Sequence, residues 1–512
     1  MRAVETVLAL VVLATAVAAS ARWLRAPAPS LLVAAGLVVG LLPGVPAVRV
    51  TPDVVGLIVL PPLLYAAAEE LPWRDLRAVW QPVTLLASGL VLTSAAAVGL
   101  VAALVTPLAA SMAILLGAVL ASTDPVAVTA LGRRLALPAR VQALVQGESL
   151  FNDATSLVLF RVAATIAVAG GSVSIGRSAG QFVLLAGGGV AVGALVAAGI
   201  GLIRRRTEDP VLETVVALVT PYAAYVVAEG LHASGVTAVV VAGLMLGSWA
   251  PRLTNGVIRL QLHAVYGTVV FLLESVVFSL IGLELPVLIR ELSGEQAWPL
   301  QALAITGALL AVRILWVFPM SAALQYRRGT PLSWRIPAVV TWAGARGVVP
   351  LAAALSIPLV TDSGAPLPGR DLVVLLTTSV IVITLLVQGF TLAPLVRRSG
   401  IAIAPETKVS EEAAARQRMA EAGLARLDQL VGAEAVPDAV AERLRRELHT
   451  RIEHATAEEP AKAPLPYRDA RRELIAVEGA ELARLHAAGT VSDATRRRLQ
   501  RVLDLEDARL AE

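Results

Sequence analysis

Cysteine is absent and charge is scarce. With no thiol there is no disulfide, no thiolate metal site and no cysteine nucleophile. Only 16% of the 512 residues are charged, 56% are hydrophobic, and the mean hydropathy is +0.73. A soluble protein of this size needs more polar surface than that. The scarcity is also uneven. Residues 401–512 hold 18 of the 43 Lys+Arg and 21 of the 39 Asp+Glu. The chain therefore divides into an apolar membrane domain, 1–400, and a cytoplasmic, charged, helical tail, 401–512, which reads as a solvated appendage, with regulation or dimer contacts as the alternatives. The tail has no nucleotide-loop or calcium-loop pattern. The net charge of +4 does not imply nucleic acid, because the arginines sit in short loops between apolar runs.

Apolar runs are what the chain has in abundance. Spanning a bilayer takes about 20 apolar residues, fewer where a helix is broken. Thirteen runs qualify: 4–21, 29–43, 54–70, 83–105, 110–131, 143–169, 181–203, 212–230, 234–249, 267–289, 300–323, 335–357 and 372–396. Runs 29–43 and 234–249 are the shortest, and twelve spans is the alternative. Residues 1–21 have the look of a secretory leader, but a second apolar run follows a basic loop, so they read as the first span. With the N-terminus outside, the inside loops carry seventeen arginines and the outside segments carry Arg2, Arg49, Arg177, Arg290 and Arg370. That bias follows the positive-inside rule. The expected placement is the plasma membrane, N-terminus out and tail in.

Two runs are interrupted. The fifth contains Thr123-Asp124-Pro125, and the twelfth contains Gly344-Ala345-Arg346-Gly347 and Pro350. Proline removes a helix hydrogen bond and clashes with the preceding turn. Backbone freed in this way at membrane depth is tolerated only beside protein or a water-filled cavity. The two runs lie seven apart and so point in opposite directions. Broken helices at matching places in two oppositely oriented halves point to an inverted-repeat transporter. The expected fold is an all-α integral membrane protein, its two broken helices crossing at the midplane.

Residues 122–160 carry Asp124, Glu148 and Asp153 inside otherwise apolar sequence. Ionisable groups at membrane depth mark a functional site by default. Ser149 lies one helical turn before Asp153 and shares its face. Thr123 and Asp124 sit at the helix break, where carbonyls are free. Carboxylate, hydroxyl and carbonyl oxygens are hard ligands, suited to a cation such as Na⁺. Burial disfavours a charged carboxylate and a nearby cation favours it. A carboxyl balanced between these influences holds either a proton or a cation. Arg346 keeps its charge and needs a partner at that depth, and Glu148 is the expected one.

GESLFND (147–153), the preceding STDPVAV (122–128) and the later WAGARGVVPLAAAL (342–355) resemble the monovalent cation:proton antiporters of the NhaP and eukaryotic Na⁺/H⁺ exchanger type. LPPLLYAAAEE (60–70) and FLLESVVFSLIGLELP (271–286) resemble its bacterial branch, and the likeness covers roughly residues 5–398. It implies a homodimer in which a core domain moves against a dimerisation domain. It implies a secondary antiporter that exchanges Na⁺, or alternatively K⁺ or Li⁺, for H⁺, with no cofactor. Asp153 is then the exchanging carboxylate. Thr123, Asp124 and Ser149 fall on cation-ligand positions, and Glu148 with Arg346 on a structural ion pair. Asn152 stands where electrogenic relatives carry Asp, which implies electroneutral exchange. One departure is Ala66 after Tyr65, where many relatives have an acid; Glu69 and Glu70 are assigned to the inside loop.

Other polar residues have plainer readings. Arg161 either pairs with an acid or lines the pathway, Arg313 is a second structural charge with Glu274 as candidate partner, and Glu229 and Glu284 fall at span ends. His232 and His263 fall in predicted loops. Trp73, Trp80, Trp249 and Trp334 read as interface anchors. A cation channel or a K⁺-selective antiporter is the alternative function. A membrane-embedded hydrolase needs a nucleophile with a positioned base, and no histidine falls within a predicted span.

Overall fold

In the computed structural model the described residues are 11–21, 27–43, 54–71, 73–124, 137–169, 175–207, 209–254, 256–292, 297–327, 329, 331–361, 364–401, 405–433, 435–456 and 465–488, with scattered positions between 495 and 507. Pro125, the rest of the fifth apolar run, and Arg22, Arg25, Arg133, Arg134 and Arg328 of the expected inside loops lie outside them. The chain forms two compact units, Met1–Ala402 and Ile403–Glu512.

The first unit is helical because its apolar runs leave the backbone no partner but itself. Its helices are α1 (Val11–Ala21), α2 (Ala28–Leu41), α3 (Leu60–Glu69), α4 (Trp73–Ala78), α5 (Trp80–Val105), α6 (Ala110–Leu120), α7 (Ala139–Val168), α8 (Ile175–Arg204), α9 (Pro210–Gly230), α10 (Gly235–Leu253), α11 (Gly256–Glu291), α12 (Trp298–Arg327), α13 (Arg335–Trp342), α14 (Val348–Leu355) and α15 (Arg370–Ser399). Seven of these, α5, α7, α8 without its first turn, α9, α11 from Ile258, α12 and α15, are long and apolar enough to cross a membrane. Wider π turns precede α3 at Val54–Val59 and interrupt α5 at Leu85–Leu90.

Helices α2, α3 and α8–α11 pack on one another, as do α5–α7 with α12–α15. Small residues set the closest approaches. A Cβ on Gly36 of α2 would lie 2.1 Å from the Ser279 carbonyl oxygen of α11, and one on Gly282 would lie 2.1 Å from the Val33 carbonyl oxygen. Without a hydrophobic drive between helices in lipid, such contacts supply the packing. α15 is the most enclosed long helix and also meets α2 and α11. Its flanking glycines, Gly369 (φ 78°) and Gly400 (φ 64°), end it cleanly in left-handed conformations.

In the second unit α16 (Pro405–Gly432) and α17 (Asp438–Thr456) pack as a pair, followed by α18 (Leu465–Ala487). Arg445 of α17 bonds Asp428 of α16 at 2.9 Å, and Leu427 and Ala441 are buried between them. The helix expected over 493–510 is described only in part.

Candidate functional site

The site is built on one stripe of α7. Ser149, Asn152, Asp153 and Ser156 fall at i, i+3, i+4 and i+7, so they share a face. All four are buried, and all four hold the chain at the end of α6. Ser149 donates to the Thr123 carbonyl at 2.5 Å and Ser156 to the Ala118 carbonyl at 2.9 Å. Asn152 donates to Thr123 Oγ1 (2.5 Å) and accepts from the Thr123 amide (3.2 Å). Asp153 Oδ1 accepts from Ser122 Oγ at 2.7 Å. Ser122 and Ser156 were not singled out from the sequence; the four-residue polar stripe in an apolar helix is the signal that marks Ser156.

The segments at the two expected breaks meet. Past α6, Ser122–Asp124 is non-helical, and Gly344–Gly347 separates α13 from α14. The Asp124 amide donates to the Ala345 carbonyl at 2.8 Å, joining break to break. Asp124 Oδ2 accepts from the Val348 amide at 3.3 Å, which sets a carboxylate at the N-terminus of α14. In return, Arg346 Nη1 donates to the Ala121 carbonyl at 2.8 Å and to the Ser122 carbonyl, at the C-terminal end of α6. Each break thus supplies the charge that suits the other's helix end. Gly347 is required there, since a Cβ would lie 1.6 Å from Asp124 Oδ2.

The expected Glu148–Arg346 pair does not form. Glu148, 1% exposed, is held bidentately by Arg313 of α12, with Nη1 to Oε1 at 2.6 Å and Nη2 to Oε2 at 3.0 Å. Arg313 also donates to the Thr341 carbonyl (3.0 Å) and the Val340 carbonyl (2.9 Å), near the end of α13. A Cβ on Gly344 would lie 2.5 Å from its Nε. The physical reason is the supply of acceptors. The α6 break offers Arg346 free carbonyls, so it needs no carboxylate, and the fork of Arg313 fits Glu148. Glu274, the suggested partner of Arg313, instead lines the cavity described next.

A cavity of about 370 Å³ reaches this crossing. Ser122, Thr123, Asp124, Ser149 and Asp153 line it, with walls from α3, α11 and α14. Asp153 is 6% exposed and lines this cavity. Ser149 and Ser122 have donated their protons elsewhere, which leaves hydroxyl lone pairs for a cation. Asn152 is absent from the lining. Its amide is turned at both ends onto Thr123. Ala66 does face the cavity, so its missing carboxylate bears on the site. Glu70 and His263 line it as well, His263 from within α11 rather than from a loop.

The sodium/hydrogen exchanger, transmembrane family matches residues 8–398. The chain belongs to that family. An uncharacterized Na⁺/H⁺ exchanger of Mycobacterium tuberculosis is 34% identical over 507 residues, 95% of this chain and 92% of the relative. The Na⁺/H⁺ antiporter ApNhaP of Aphanothece halophytica is 33% identical over 391 residues, 74% of this chain and 71% of the antiporter. The fold is that of the sodium proton antiporter MjNhaP1 from Methanocaldococcus jannaschii, with a TM-score of 0.63 at 22% identity, covering 78% of this chain and 99% of that one.

Elsewhere in this exchanger, Arg161 pairs with Glu229, both about one-third exposed, and Glu229 also accepts from the Gly235 amide at 3.0 Å. Arg204, counted above among loop arginines, is buried and bonds buried Glu213 at 3.0 Å, tying α8 to α9. Glu284, expected at an interface, is 8% exposed.

Proposed function

We propose that the protein exchanges Na⁺ for H⁺ one for one at Asp153, by alternating access, in the plasma membrane. The observation that carries this reading is the position of Asp153. Its carboxylate lines a cavity where the segment after α6 meets the segment between α13 and α14. Beyond it along α7, Ser156, Leu157 and Phe160 are buried. Glu70, Gln146 and His263 lie toward the arginine-rich loops, which the positive-inside rule assigns to the cytoplasm. Na⁺ entering from that side meets Asp153 and Asp124 carboxylates, the Ser149 hydroxyl and the oxygens of Thr123.

Competition follows from simple electrostatics. One carboxylate holds one proton or one Na⁺. Neutral Asn152 adds no second exchanging charge, and the Asp124 carboxylate is engaged at the α14 amide. The loaded site then carries the same charge in both forms, which makes the exchange electroneutral. The Arg313–Glu148 and Arg346–carbonyl contacts hold the crossing together so that it moves as a body. A homodimer, thirteen spans and an inverted repeat complete the reading. The test is Asp153→Asn in everted vesicles. Loss of the Na⁺-induced pH change is expected, and unimpaired exchange would refute the mechanism.

A further inference from the structure

A second cavity, of about 870 Å³, lies on the opposite side of α7. It shares no lining residue with the cation cavity. One wall is Phe151, Ala154 and Val158 of α7, the residues flanking Asn152 and Asp153. Another is Leu76, Val83 and Ala87 of α4 and α5, and the facing wall is Phe182 and Ala186 of α8. The cleft therefore separates the helix that carries the exchanging carboxylate from a helix of the other packed group.

Its chemistry excludes a hydrated substrate. The hydroxyls on the walls all have their protons engaged. Thr84 donates to the Trp80 carbonyl, Ser88 to the Thr84 carbonyl, Thr155 to the Phe151 carbonyl and Thr237 to Ser234 Oγ, at 2.6–2.9 Å. What remains is aliphatic and aromatic surface, which does not hold water. At the α4 end stand Arg77 and Trp80, both exposed. An arginine beside a tryptophan at the start of a span is the arrangement found at headgroup level. From Leu76 to Ser88 is roughly 18 Å of mostly helical chain, close to one leaflet's share of a hydrocarbon core about 30 Å thick.

We propose that this cleft binds an anionic phospholipid, its phosphate at Arg77 and an acyl chain running inward between α5, α7 and α8. The apolar walls suit the chain, and the cationic rim selects headgroup charge. A chain lodged against both helix groups favours the arrangement in which they stand apart. Such a lipid biases the conformational equilibrium of α7, and so the exchange rate, through its differential affinity for the two arrangements. Only this last consequence rests on the exchange mechanism proposed above; the binding itself does not.

The test uses the full chain in nanodiscs with phosphatidylglycerol or phosphatidylcholine carrying a photoreactive acyl chain, the cross-linked peptides being mapped by mass spectrometry. Labelling concentrated on residues 76–88, 151–158 and 182–186, about fivefold stronger for phosphatidylglycerol, is expected from one basic headgroup contact. Arg77→Gln brings the two lipids level. Ala186→Trp fills the cleft and removes labelling at 151–158 several-fold while leaving other lipid-facing helices labelled. Ala154→Leu serves the same purpose if that variant does not fold. Equal labelling by both lipids in the parent protein, labelling of the cleft unchanged by either filling substitution, or cross-links there between two copies of the chain would overturn the proposal. Exchange in liposomes is measured in parallel. Cleft labelling without any exchange faults the transport mechanism alone, and exchange without cleft labelling faults the lipid site alone.

Discussion

The non-helical segments Ser122–Asp124 and Gly344–Gly347 meet, and they differ in how they are held. Ser122–Asp124 hangs on a hydroxyl, an amide and a carboxylate from α7, and it faces the cavity. Gly344–Gly347 is fixed by guanidinium groups. Arg313 grips the carbonyls before it, and Arg346 within it reaches the carbonyls of α6. The first break is thus bounded by groups that can trade a proton for a cation, and the second by groups whose charge does not change near neutral pH. On the proposed mechanism the first break carries the exchange while the second keeps its geometry.

The comparison is broken most severely at Arg313. Arg313→Met leaves Glu148 buried without its partner and should lower stability by about 3–5 kcal/mol, seen as a lower thermal unfolding midpoint in detergent. Adding Glu148→Gln removes the stranded charge, so the double variant should recover much of the loss. Equal midpoints for the two variants would mean that the pair does not hold the second break.

Asp124→Asn tests the contact between breaks. It withdraws a negative charge from the α14 N-terminus and should cost up to about 2 kcal/mol. It should also raise the KM for Na⁺, because that carboxylate faces the cavity. Ser149→Ala and Ser156→Ala sharpen the account of the first break. Each removes one hydrogen bond from α7 to the α6 end, worth about 1 kcal/mol. Only Ser149 lines the cavity, so only its loss should raise the KM for Na⁺. Ala66→Asp has the smallest expected effect on stability and should lower that KM by adding a carboxylate to the wall.

The helices were legible because a membrane leaves a spanning segment few choices. Every expected apolar run that the structure describes contains helix, often longer than the run, since polar ends such as Arg140 and Gln142 of α7 extend into the turns beyond. The interruption at Gly344–Gly347 was legible from glycine and Pro350; of the fifth run's expected break only the non-helical Ser122–Asp124 is described, and Pro125 lies outside the described residues. The pairing of Glu148 was not. Charges can be counted in a sequence, but the direction each side chain takes around its helix and the carbonyls a break sets free depend on packing. Glu148 precedes Ser149 by about 100° around α7, at the edge of the exchanging stripe. There it meets α12, whose Arg313 the sequence marked as a structural charge but matched with Glu274. Nor was the contact of Asn152 legible: both ends of its amide bind Thr123.

The central claim is that one carboxylate holds the proton and the cation in turn. Adding Na⁺ to purified protein in weakly buffered solution, with released protons read by a pH dye, tests it directly. The account predicts one proton released per Na⁺ bound by the parent protein, a smaller apparent Na⁺ affinity as the pH falls, and retained release in Asp124→Asn. It predicts no release in Asp153→Asn. Proton release on Na⁺ addition to Asp153→Asn would contradict it.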